Sequence, residues 1–177
     1  MDECWNANGR KICSAALSRS KTNHGCIAND SDSAGGDAES KEFIETCDEW
    51  VNFSAFIARC VQAGLLDRFS DGISKYPSWD VPDGLEKGLQ PGILRDCRVM
   101  VSAQYIILAG RRLFEEFLSK SASPTEKSEW WQEKWQLWPG KFEALSDGYE
   151  KDGKTEMAAM IREAHDLMLS LSKAPSA

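Results

Sequence analysis

The sequence contains no run of about 18 apolar residues, the length a helix needs to cross a bilayer, so no membrane span is expected. Cationic charge is scarce: 21 Lys and Arg against 28 Asp and Glu leave a formal net charge of −7. Nucleic acids and anionic membranes are bound through a basic footprint that displaces counterions, so neither is an expected partner. Histidine is nearly missing, with only two copies, His24 and His165. No glycine-rich phosphate loop precedes a helix, no serine sits in a nucleophile elbow, and no Glu-x-x-His pair recurs as a di-metal bundle requires. Those absences remove the enzyme classes that leave a signature in sequence. The first residues, Met1 to Asn6, are acidic and lack the apolar stretch of a secretory signal, so an intracellular, cytoplasmic protein is expected.

Cysteine is present, six times, but at wide and irregular spacing: Cys4, Cys13, Cys26, Cys47, Cys60 and Cys97. A disulfide framework belongs to small secreted chains, and reduced thiols are the expectation here. Cys13, His24 and Cys26 lack the short paired spacing and the fourth ligand of a structural zinc site, so neither a metal nor another cofactor is expected.

Residues 1–40 are dominated by Ser, Asn, Asp, Gly and Ala and carry no apolar period. Such a segment buries too little to offset its ordering entropy, which predicts a disordered polar tail before a single helical domain over 41–177. From Lys41 the pattern changes. Phe43, Cys47, Trp50, Ser54, Ile57 and Val61 alternate spacings of four and three, widened by Val51, Phe53, Phe56 and Cys60, and Gly64 is placed to end the helix they form. Leu65, Leu66, Phe69 and Ile73 suggest a short second helix closed by Tyr76-Pro77, and Pro77 to Gly92 reads as a loop with one helical turn. Pro91 opens a long helix carrying Ile93, Leu94, Cys97, Val101, Tyr105, Leu108 and Phe114. Ser123-Pro124-Thr125-Glu126 is a capping box for the next helix, on which Trp131, Trp135, Trp138, Phe142 and Leu145 share a face. Pro139-Gly140 predicts a kink or a break in it. A last helix runs from about Thr155 to Leu171, with Met157, Met160, Ile161, Ala164, Met168 and Leu171 inward. No segment alternates with period two, so the fold class is all-α, an irregular bundle of about five to six helices.

The run Trp50-Val51-Asn52-Phe53-Ser54-Ala55-Phe56-Ile57-Ala58-Arg59, the later segment Ala103 to Gly110, and Trp135 with Phe142 before a helix reaching Met168 follow one another in a telling order. Together they resemble an uncharacterised family of helical proteins from filamentous fungi, over about residues 49–168. The resemblance implies an all-helical fold and a fungal source, and it brings no established activity, cofactor or catalytic residue. The stretch from Asp80 to Gln90 departs from that pattern, since its glycines and Pro82 weaken a helix there.

Three residues stand out as ligand or partner candidates: Arg59, Trp130 and His165. Arg59 closes an aromatic motif and can pair with a carboxylate or bind an anionic group. Trp130 lies off the stripe made by Trp131, Trp135 and Trp138, which marks it for an exposed contact. His165 has Glu163 and Asp166 as its nearest carboxylates in sequence, but residues one and two apart on a helix do not face each other. The positions that do, Ile161, Arg162, Met168 and Leu169, hold no carboxylate, so a boundary histidine is expected and no catalytic residue is assigned. The expected function is a non-catalytic interaction or scaffold protein that binds a protein partner or itself. The alternative is a binding protein or enzyme for a small apolar metabolite, as in fungal secondary metabolism, with Arg59 or His165 as the polar group of an aromatic-lined pocket.

Overall fold

The computed structural model describes residues 41–66, 72–119 and 126–173. The polar tail expected over 1–40, the Cys13, His24 and Cys26 trio, and most of the capping box at Ser123 lie outside these residues. Among the described residues the chain is all-α, with five α-helices and one π-helical turn. They are α1 (Lys41–Gln62), α2 (Gly72–Leu85), α3 (Ile93–Phe114), the π-helical turn Glu115–Ser119, α4 (Glu126–Lys151) and α5 (Thr155–Lys173). No helix among them is long and apolar enough to cross a membrane.

The α1 stripe forms where its spacing places it: Cys47, Val51, Ser54, Ala55, Ile57, Ala58, Cys60 and Val61 are buried. Phe56 is exposed, so the buried face is narrower than its apolar content suggests. The helix ends as expected at Gly64, whose φ of 71° lets its N–H reach the Val61 carbonyl at 3.0 Å. The Leu65 N–H reaches the Cys60 carbonyl, also at 3.0 Å, completing a Schellman end.

The greatest departure from expectation is α2. A helix runs through Tyr76-Pro77 and through Pro82, where a closed short helix and a loop are predicted. Each proline removes one helix hydrogen bond, and packing outweighs the loss. Pro77, Val81 and Leu85, four residues apart, are buried as one stripe. Gly84 permits close approach to α3, since a Cβ there would collide with the Ser102 hydroxyl and the Arg98 carbonyl.

Pro91 does not open α3 but precedes it by two residues, with Gly92 as N-cap at φ 154°. Cys97, Val99, Val101, Ala103, Tyr105, Ile106, Ala109 and Leu113 are buried around most of the α3 circumference, because α3 packs against α1, α2 and α5. The π-helical turn then places Phe117 in a stack on Trp131, with centroids 5.3 Å apart and planes at 4°. No break occurs at Pro139-Gly140, as one helix continues from Glu126 to Lys151. Its stripe of Trp131, Trp135, Trp138 and Phe142 is buried, against α5 with Ile161, Ala164 and Met168. The turn into α5 repeats the α1 ending: Gly153, at φ 76°, donates to the Glu150 carbonyl and Lys154 to the Tyr149 carbonyl.

Candidate functional site

Helices α1 and α2 carry an aromatic face that reaches the surface. Trp50 and Phe53 meet at 5.8 Å, Phe53 meets Tyr76 edge-on at 6.4 Å, and Tyr76 meets Trp79 at 6.2 Å. Trp79 is 45% exposed, and the Lys75 ammonium lies 5.5 Å from its ring centre. Phe56 lies one turn beyond Phe53 and is 43% exposed. Of the five large apolar side chains left exposed among the described residues, four (Ile44, Phe56, Leu65 and Trp79) belong to the segment from α1 through α2.

Beneath that face lies a buried acid. Asp80, on α2, is 5% exposed, beside the fully buried Tyr105 hydroxyl of α3, which also faces the buried Ser54 hydroxyl of α1. The three groups are neighbours, yet Asp80 Oδ2, Tyr105 OH and Ser54 Oγ have no hydrogen-bond partner among the described residues. Burial pushes the Asp80 carboxyl up to about 7, opposed by the Tyr105 hydroxyl and the more distant Arg98 charge, and aided by Asp83. Arg98 is committed elsewhere, in an ion pair with Asp83, which also takes Lys87 at 2.7 Å. The Ser102 hydroxyl faces the backbone around Asp80, lying 2.9 Å from the Arg98 carbonyl, 3.1 Å from that of Val81 and 3.2 Å from that of Asp80.

Arg59, Trp130 and His165 stand on α1, α4 and α5, and no contact among the described residues joins them. Arg59 is exposed in the last turn of α1. Trp130 is half-buried, edge-on to Trp131 at 5.1 Å and to Trp138 at 6.0 Å, with the Lys134 ammonium 5.8 Å from its ring centre. That ammonium also pairs with Glu86 at 2.7 Å, and the Trp138 indole donates to the same carboxylate at 2.9 Å. Burial raises the Glu86 carboxyl, but these two donors outweigh it and hold it low. His165 does meet Asp166, Nδ1 to Oδ1 at 2.8 Å, so the expectation that a carboxylate one residue away cannot reach the ring needs correcting. The His165 side chain is half-buried and Asp166 is largely exposed. Asp166 also borders a shallow groove with Ile107, Ala159, Arg162, Glu163, Leu167 and Ser170.

Reading the sequence missed Tyr76, Trp79 and Asp80 because all three fall in or beside a stretch taken for a loop. The signal that finds them is the four-residue spacing of Pro77, Val81 and Leu85, hidden by the usual weight given to proline as a helix breaker.

No curated protein and no solved structure matches the chain. A family model described as "Protein of unknown function (DUF3632)" matches residues 13–142. That span contains the Trp50 to Arg59 motif, the Ala103 to Gly110 segment, Trp135 and Phe142, together with the aromatic face and Asp80, and it stops before α5. The chain belongs to the DUF3632 family.

Proposed function

We propose that this chain is a non-catalytic interaction protein whose α1–α2 face receives an apolar, basic-rimmed helix of a partner protein. The observation that carries the reading is that three of the five exposed large apolar side chains among the described residues, Ile44, Phe56 and Trp79, lie on this one pair of helices. Large exposed aromatics anchor protein contacts because they bury much area with few rotatable bonds. Charge selects the partner. Along α1, Glu42, Glu45, Asp48 and Glu49 are exposed, and the whole chain carries −7, so a lysine- or arginine-rich rim is favoured and an acidic one repelled. Arg59, one turn beyond Phe56, would meet the carbonyl end of the bound helix and fix its direction.

The test uses two labelled amphipathic peptides, one with leucine and lysine faces and one with leucine and glutamate faces, followed by fluorescence anisotropy. The lysine peptide should bind, weaken with added salt, and lose about 30-fold or more in affinity when Phe56 and Trp79 are both replaced by alanine. Equal binding of the two peptides, or affinity unchanged in the double variant, would overturn the reading.

A further inference from the structure

Asp80 has no part in the contact just proposed, and its surroundings suit a different task. It sits where α2 meets both α1 and α3, with its backbone in the tightest part of the α2–α3 contact, beside Ser102 and one turn before Gly84. The groups facing it can be named from each element. Tyr105 and Arg98 come from α3, Asp83 from α2 itself and the Ser54 hydroxyl from α1, while Tyr76 acts at one remove through Tyr105. None supplies a free positive charge. Arg98, the only cation among them, is held by Asp83. A protonated carboxyl is tolerated in such a place, whereas a carboxylate there has lost its water and gained no counter-ion. The helix that carries it is also the one least able to stand alone, since Pro77 and Pro82 each withhold a backbone donor.

We propose that Asp80 is a proton-operated latch: protonated, it holds α2 against α1 and α3, and on losing its proton it releases α2 into solvent. Release rehydrates the carboxylate. The step moves one proton to water and breaks no covalent bond. It also disperses the aromatic face, because Tyr76 and Trp79 leave with α2 while Phe53 and Phe56 stay on α1. This last consequence rests on the partner reading above; the latch itself does not. The fold would then hold its partner at mildly acidic pH and loosen its grip as pH rises toward neutrality.

Hydrogen–deuterium exchange on the full chain tests the latch, comparing pH 5.5 with pH 8.5 after correction for the intrinsic exchange rate. Protection of α2 amides should fall by up to about tenfold for each pH unit between 5.5 and 7 and level off above 7, while α5 amides keep theirs. Asp80→Asn should hold α2 protection level across the range. Carbon-13 titration of the wild-type aspartate carboxyls gives an independent reading should that variant not fold, with one midpoint expected between pH 6 and 8. A pH-independent α2, or an Asp80 midpoint near 4, overturns the proposal. Binding of the lysine peptide at both pH values separates the two ideas: no binding at either pH sinks the partner reading and leaves the exchange result standing.

Discussion

The α1–α2 half and the α4–α5 half of this bundle use their aromatic residues in opposite ways. On α4, Trp131, Trp138 and Phe142 are fully buried against one another and against Ile161, Ala164 and Met168 of α5. Of the buried α4 indoles, Trp135 and Trp138 have polar partners and Trp131 has none among the described residues. The Trp138 indole reaches Glu86, the Trp135 indole reaches Ser172 at 3.1 Å, and the Ser146 hydroxyl donates to the Ala158 carbonyl at 3.1 Å. On α1 and α2 the aromatic series runs outward to an exposed tryptophan, two prolines interrupt the backbone, and a buried carboxyl lacks a counter-ion. The contrast shows that residue type alone does not set a role: indoles give stability where they are buried between helices, and contact where they are left at the surface.

The sharpest way to break this comparison is to truncate a buried indole of α4. Trp138→Ala should cost about 3 to 5 kcal/mol in chemical denaturation, through lost burial and the lost indole hydrogen bond to Glu86. A loss below about 1 kcal/mol would mean that the two halves do not differ.

Next comes pH. The Asp80 carboxyl titrates at about 7 in the folded chain against 3.8 in the open. Between those values the folded state keeps a proton that the unfolded state has released, so stability falls as pH rises and levels off above about 7. The loss is on the order of 4 kcal/mol at most. Melting measured at pH 5 and pH 8 should therefore differ, and Asp80→Asn should remove most of that difference and be the more stable protein at pH 8.

Gly84→Ala should follow at about 1 to 3 kcal/mol, because the added methyl collides with backbone at Arg98 and with Ser102. An unchanged melting temperature would show that α2 can ride away from α3 without cost. Trp79→Ala is expected to move stability by about 1 kcal/mol or less while weakening peptide capture, and a larger loss of stability would transfer Trp79 to the core. The smallest effect belongs to removal of residues 1–40, proposed as a tail outside the helical domain. Helical ellipticity and the melting transition should hardly change, and collapse of either would move the domain boundary.

Much of the fold was legible because its period is regular where burial is deepest. The stripes of α1, α4 and α5, and the ending at Gly64, follow from spacing and from the one residue type that accepts a left-handed turn. The site was not legible, for two physical reasons. Proline propensity is a local quantity, and packing of Pro77, Val81 and Leu85 overrode it in α2. The meeting of Ser54, Asp80 and Tyr105 joins three helices, and nothing in the spacing of residues along a chain records which faces will oppose each other. Pro139 shows the same override on α4, where Trp138 and Phe142 on either side are buried deeply enough to keep the helix whole.

The indoles of Trp130, Trp131 and Trp138 stand nearly at right angles to one another, with ring centres 5.1, 6.0 and 5.7 Å apart. Chromophores so close and so inclined couple their electronic transitions, and a chiral frame gives the coupled bands rotational strength of their own. Far-ultraviolet ellipticity of this protein will therefore carry an aromatic signal superposed on the backbone signal. Helix content is better taken from the amide infrared band, and the excess ellipticity becomes a spectroscopic gauge of whether α4 has kept its aromatic cluster in register.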